Sequence, residues 1–313
     1  MLKFPANQLG EILSLTEMEV YTNIRSIKDF FFPKSENIAE FVKTKNEIAI
    51  TDLRKPIQPF ILYGVKPCDA EGVKILDQVF LSDPIDTFYA EKRKNATIIT
   101  DACLRPEESC FCTVFGINAA EPTQGDVTTW TVDDTIYWKP ITEKGTKLIE
   151  KISVGNYQLP TENQTIASNA TPYFTNLKLD VFTTKKVMEI FNHPAWEKLH
   201  RTCLGCGACT FTCPTCHCYD IQDCDAGSKV NSPGEKILRH RCWDSCMYSD
   251  FTQMSHGNPR TTGLERFRQR FMHKLMYFPE NNDGTFACVG CGKCVQNCPV
   301  GLNIVKVIKA LGE

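Results

Sequence analysis

Apolar positions along the chain fall into short blocks rather than long stripes. PFILYGV (59–65) and NATIITDAC (95–103) are compact, β-branched runs that each stop at a turn, the pattern of buried strands. Between them, AEGVKILDQVFL (70–81) spaces Val73, Ile75, Leu76, Val79 and Phe80 for a helix. Strand, helix, strand predicts a βαβ unit, and hence a parallel sheet. DVTTWTV (126–132) and DTIYWKP (134–140) alternate and predict further strands within 127–155. Residues 1–60 are mixed and mostly polar, with a helical pattern near the start. YQLPTENQTIASNATPYF (157–174) is polar with two prolines and reads as a loop or linker. TTKKVMEIFNHPAWEKLH (183–200) predicts a helix with Val187, Ile190 and Phe191 on one face, broken or kinked at Pro194.

Composition changes the picture at one point. The chain has 313 residues, 42% of them hydrophobic, enough for two domains with a sizeable core. A net charge of −2 argues against a general nucleic-acid binder. No apolar run approaches the roughly 18 residues of a membrane span. The first residues lack a signal-peptide pattern, so the expected location is the cytoplasm.

Cysteine is the outlier, at 17, an odd number that cannot be fully paired in disulfides. In a cytosolic chain such abundance points to metal. Four cysteines lie between 68 and 112, none between 113 and 202, and thirteen between 203 and 298. That distribution predicts a boundary in an α+β chain, between a mixed α/β domain over 1–175 and a cysteine-rich domain over 183–313.

CLGCGACTFTCP (203–214) and CVGCGKCVQNCP (288–299) both read Cys-x2-Cys-x2-Cys-x3-Cys-Pro. In this spacing three cysteines bind one 4Fe-4S cluster and the fourth binds the other. It assigns Cys203, Cys206, Cys209 and Cys298 to one cluster, and Cys288, Cys291, Cys294 and Cys213 to the second. Gly205, Gly207, Gly290 and Gly292 permit unusual backbone angles and let amides approach the sulfurs. The proline after each fourth cysteine suits the first turn of a following helix, VGLNIVKVIKALGE in the second copy. Structural zinc usually takes paired CxxC motifs instead. The long insertion over 215–287 resembles the α-helical ferredoxin domains of respiratory iron–sulfur subunits.

Several blocks carry a wider resemblance: GVKPCDAEGVKILDQVF (64–80), DACLRPEESCFCTVFG (101–116), HPAWEKLHRTCLGCGACTFTCPTCHCYD (193–220), WDSC (243–246) and the terminal cluster motif. Together they resemble the iron–sulfur β subunits of cytosolic NiFe hydrogenases and sulfhydrogenases, and the A subunit of anaerobic sulfite reductases. The resemblance implies an electron-transfer subunit that links a flavoprotein, NAD(P)-linked partner to a catalytic redox subunit. The complex would be of hydrogenase, sulfite reductase or electron-bifurcating type.

The resemblance also implies a third centre at Cys68, Cys103, Cys110 and Cys112. Cys68 and Cys103 each follow a predicted strand, so parallel neighbours would bring both to one end of the sheet. A third 4Fe-4S cluster is the reading taken, against free buried cysteines or a zinc clip. Cys216, Cys218, Cys224, Cys242 and Cys246 remain, with His217 among them; a fourth centre there is either iron–sulfur or zinc.

RTTGLERFRQRFMHK (260–274) places Leu264, Phe267, Phe271 and, just beyond, Leu275 at helical spacing. It reads as an amphipathic helix with its charges in water. A sharper reading sets Arg and Lys beside the clusters, where they would raise the potential. The six histidines form no HExxH pair, and there is no GxGxxG or phosphate loop, so no catalytic residue and no nucleotide site are assigned. Two other classes compete with the electron carrier. One is a zinc-bound structural scaffold, colourless but metal-dependent in folding. The other is a thiol–disulfide enzyme, disfavoured because the CxxC pairs lie inside cluster triplets.

Overall fold

A computed structural model describes residues 2–22, 26–152, 174, 176–226 and 235–312. Most of the predicted linker, 157–173, lies outside them. Among the described residues ten strands form two sheets: β1 (Leu2–Pro5), β2 (Glu19–Tyr21), β3 (Ser35–Lys43), β4 (Ile48–Asp52), β5 (Phe60–Val65), β6 (Ala96–Asp101), β7 (Val127–Val132), β8 (Thr135–Pro140), β9 (Tyr219–Asp225) and β10 (Glu235–Trp243).

The larger sheet has the order β1-β8-β7-β6-β5-β2. Strands β2, β5, β6 and β7 run parallel, while β8 runs antiparallel to both its neighbours, β7 and β1. The predicted βαβ unit is present, with the helix Pro67–Phe80 joining β5 to β6. Both faces are covered. Phe60, Leu62 and Ile98 pack with Val73, Leu76 and Phe80, whereas Ile61 and Ile99 pack with Leu148 and Ile152. Two-sided burial explains why β5 and β6 read as continuous apolar runs. After the β7–β8 hairpin the chain turns helical, over Glu143–Ile152, where the sequence reading carried strands on to 155.

The smaller sheet, β4-β3-β10-β9, is antiparallel and joins the two halves of the chain: β10, from the long insertion, pairs with β3. The rest of the second half is helical. Val187–Phe191 and Ala195–His200 are separate helices, broken at the predicted Pro194. The helix Gly263–Met272 continues through a wider turn, His273–Tyr277. Its Phe267, Phe271 and Leu275 share a core with Trp196, Val307 and Ile308, and Phe111 of the first half enters that core.

Two sequence expectations change here. Neither Pro214 nor Pro299 opens a helix. The last helix, Ile304–Leu311, begins five residues after Pro299, where the Asn303 side chain accepts from the Val305 and Lys306 amides. A side-chain cap outcompetes proline as the starting signal. The charges of 260–274 are not all in water either: Arg270 and Lys274 are 3% and 4% exposed.

Candidate metal centres

The first motif forms a loop leading into the short helix Ala208–Phe211. Gly205 and Gly207 take φ of +67° and +71°. A side chain on Gly207 would strike the Tyr248 hydroxyl at 2.7 Å, so a glycine is required on both counts. Cys203, Cys206, Cys209 and Cys298 line one pocket, closed by Met247, Phe267 and Phe271. Amides point at its sulfurs: Gly205 N lies 3.5 Å from Cys203 Sγ, and Leu302 N lies 3.1 Å from Cys298 Sγ. Cys206 is exposed, so this pocket reaches the surface.

The second motif repeats the geometry, with Gly290 and Gly292 at φ +59° and +74°. Here the glycines allow contact between loops. A Cβ on Gly290 would lie 2.5 Å from the Phe111 carbonyl oxygen, and the Phe111 amide donates to Gly290 O at 2.8 Å. Cys213 is buried, and its charge is felt at Cys288, Cys291 and Cys294.

The N-terminal four come together at one end of the large sheet. Cys68 follows β5 and Cys103 follows β6. With Cys110 and Cys112 they line a cavity of about 240 Å³ that Cys291 of the second motif also borders. The Lys293 ammonium bonds the buried Asp69 carboxylate at 2.6 Å, tying this rim to the second motif.

The remaining five cysteines separate. Cys216, Cys218 and Cys246 lie near one another below the β9–β10 ribbon, where the charges of Cys216 and Cys218 are felt at Cys218 and Cys246 in turn. Cys224 is exposed on β9, its sulfur 3.9 Å from His240 Nδ1, and Cys242 sits on β10 beside Asp220 and Asp244.

Burial pushes the thiols up: Cys112 and Cys209 to about 11, Cys288 to about 12. Among them stand two buried cations. The Arg270 guanidinium donates to Cys209 O at 2.8 Å, and Lys274 Nζ donates to Thr215 Oγ1 and Ala287 O, both at 2.8 Å. Burial works against the Lys274 ammonium, but the charges of Cys213, Cys216 and Cys288 outweigh it and raise its pKa. Arg270 Nε is buried without a partner. Thiol groups, amides aimed at sulfur and buried cations form a donor set that fits anionic iron–sulfur clusters. The sequence reading placed no individual cation at these sites. The available signal was two charges, at 270 and 274, on the same helix face as Phe267, Phe271 and Leu275.

These features define a protein of the iron–sulfur dicluster class. Residues 202–302 match the family described as a 4Fe-4S dicluster domain. The chain is 34% identical over 321 aligned residues to sulfhydrogenase 2 subunit beta of Pyrococcus furiosus, covering 97% of this chain and 88% of that one. The chain therefore belongs to the hydrogenase beta-subunit family. It carries two 4Fe-4S clusters and serves electron transfer, and the zinc-scaffold alternative finds no support. No solved structure matches it. Among the described residues no helix is long and apolar enough to cross a membrane.

Proposed function

We propose that this chain is the relay subunit of a cytoplasmic, anaerobic oxidoreductase complex, carrying single electrons between a flavin- and NAD(P)-linked partner and a catalytic redox subunit. Cys203, Cys206, Cys209 and Cys298 hold one 4Fe-4S cluster, and Cys288, Cys291, Cys294 and Cys213 hold the second. Cys68, Cys103, Cys110 and Cys112 hold a third. Residues 1–175 and 183–313 are the corresponding domains. The observation that carries this reading is the single pocket shared by Cys203, Cys206, Cys209 and the distant Cys298.

The clusters supply one-electron chemistry at a tuned potential. The chain's residues supply the thiolates, the amides that share the sulfur charge, and the Arg270 and Lys274 cations. The large sheet contributes a mouth for the N-terminal site, and the first motif contributes the exposed Cys206.

Iron and acid-labile sulfide per chain, measured on anaerobically purified protein, test the assignment. About twelve of each supports three clusters, and about eight restricts the relay to the doubled motif. Near-zero iron would overturn it.

A further inference from the structure

The register of the β9–β10 ribbon brings together two segments that lie far apart in the chain. Tyr219 pairs with Trp243, so Cys218 lies just before one strand and Cys246 just after the other. The Asp244 amide donates to Cys218 O at 3.0 Å, and the Cys246 amide reaches the Cys218 sulfur. The base of the ribbon is braced on both sides. Thr210 and Ser245, both buried, share a hydroxyl hydrogen bond of 2.8 Å, while Thr215 Oγ1 donates to Ala287 O at 2.8 Å. These contacts hold Cys216, Cys218 and Cys246 against the interior, near Cys209 and Cys213 of the first motif. The charge of Cys213 is felt at Cys216 on one side, and the charge of Cys246 is felt at Cys209 on the other.

The charges around this group need an anion. Lys28, from the first half of the chain, is 2% exposed. Its Nζ donates to Cys216 O at 3.2 Å and lies 3.5 Å from the centre of the Trp243 ring. Arg270 and Lys274 complete a buried trio whose acceptors are carbonyl and hydroxyl oxygens. Among the described residues no carboxylate pairs with any of the three. A buried cation without a compensating anion is costly. Arg270 and Lys274 also face the thiolates of the doubled motif, which partly account for them. Burial disfavours the Lys28 ammonium, and the charges of Cys216 first, then Cys213 and Asp29, oppose it, so the doubled motif alone does not account for its site.

We infer that Cys216, Cys218 and Cys246 hold a further iron–sulfur cluster, ligated by three protein thiolates and seated near Cys209 and Cys213 of the first motif. Cys224 and Cys242 take no part. Cys224 is exposed and pairs in register with Leu238, well up the ribbon, and Cys242 is paired with Asp220. The inference rests on the relay reading above, since a cluster here would stand beside both of the others and extend the same electron path.

The test uses the full chain, purified anaerobically and reconstituted with iron and sulfide, as wild type and as Cys216→Ser, Cys246→Ser and Cys224→Ser. Each of the first two variants should lose about three to four iron and as much sulfide, while Cys224→Ser matches wild type. Unchanged iron in both variants, or loss of zinc in place of iron, overturns the proposal. Native alkylation with mass spectrometry covers the case of a variant that fails to fold. In iron-loaded wild type, Cys216, Cys218 and Cys246 should resist iodoacetamide and become reactive once a chelator strips the iron, with Cys224 reactive throughout. Reaction of the three in iron-loaded protein overturns the proposal whatever the variants do. Failure of the relay reading looks different, because wild type itself would then bind no iron.

Discussion

Arg270 and Lys274 stand four residues apart on one helix face, in line with Phe267 and Phe271. Read as sequence, the segment is an amphipathic helix with a charged outer side, and Arg266 and Arg268 fit that description by staying half-exposed. Residues 270 and 274 do not, because the neighbouring elements bring thiolates rather than apolar side chains against them. A cation beside a cluster favours the more negative, reduced form, so removing it should make reduction harder. Lys274→Gln keeps a donor for Thr215 and Ala287 but loses the charge. Its nearest cluster should fall in midpoint potential by on the order of 50–100 mV, for one charge at an effective dielectric near that of protein. Lys274→Arg should stay close to wild type. An EPR-monitored redox titration reads both, and an unchanged or higher midpoint in Lys274→Gln would show that the ammonium only braces the fold.

At the scale of elements, legibility follows burial. Strands β5 and β6 and the helix between them were readable because both faces of the large sheet are covered, which leaves unbroken apolar runs. Strands β9 and β10 were not. Every residue of β9 is exposed, and the ribbon forms by pairing with β3 across the chain, a long-range event that leaves little local pattern. The last helix was readable in its body but not at its start. Its apolar stripe, Ile304, Val307, Ile308 and Leu311, packs into the core. Its boundary is set by one side chain, because Asn303 Oδ1 accepts from Val305 N at 3.1 Å and Lys306 N at 3.2 Å. Asn303→Ala should therefore cost about 1 kcal/mol in chemical denaturation, and Asn303→Ser should recover most of it. Equal stability of Asn303→Ala and wild type would mean that packing alone fixes the helix start.

Across the whole molecule, the candidate sites were legible as cysteine spacing but not as places. Spacing assigns sulfurs to clusters; it does not say that the second motif docks on the Cys103–Cys112 loop through Gly290 and Gly292, or that Cys224 stands apart from Cys246. Those relations depend on how the two halves meet, and the small sheet is one of the joints. Arg241 of β10, 4% exposed, bonds Glu36 of β3 at 2.7 Å and also bonds Asp86, at the start of the helix Thr87–Asn95. Its guanidinium lies 5.1 Å from the Phe32 ring centre, so the charge is packed as well as paired. Arg241→Met should destabilise the chain by roughly 2–3 kcal/mol, at or below the low end for a broken buried pair because both carboxylates keep some solvent. Part of that loss is the cost of leaving Glu36 with Lys92 alone and Asp86 with only the Tyr89 amide. Adding Glu36→Gln and Asp86→Asn to Arg241→Met should therefore restore much of the stability, although each substitution alone removes a partner. Denaturation of the single and triple variants, with iron content followed in parallel, separates two roles for this joint. If the triple variant regains stability and iron together, Arg241 serves to neutralise the carboxylates. If stability returns without iron, the ion network also sets the relative placement of the halves on which the cluster sites depend.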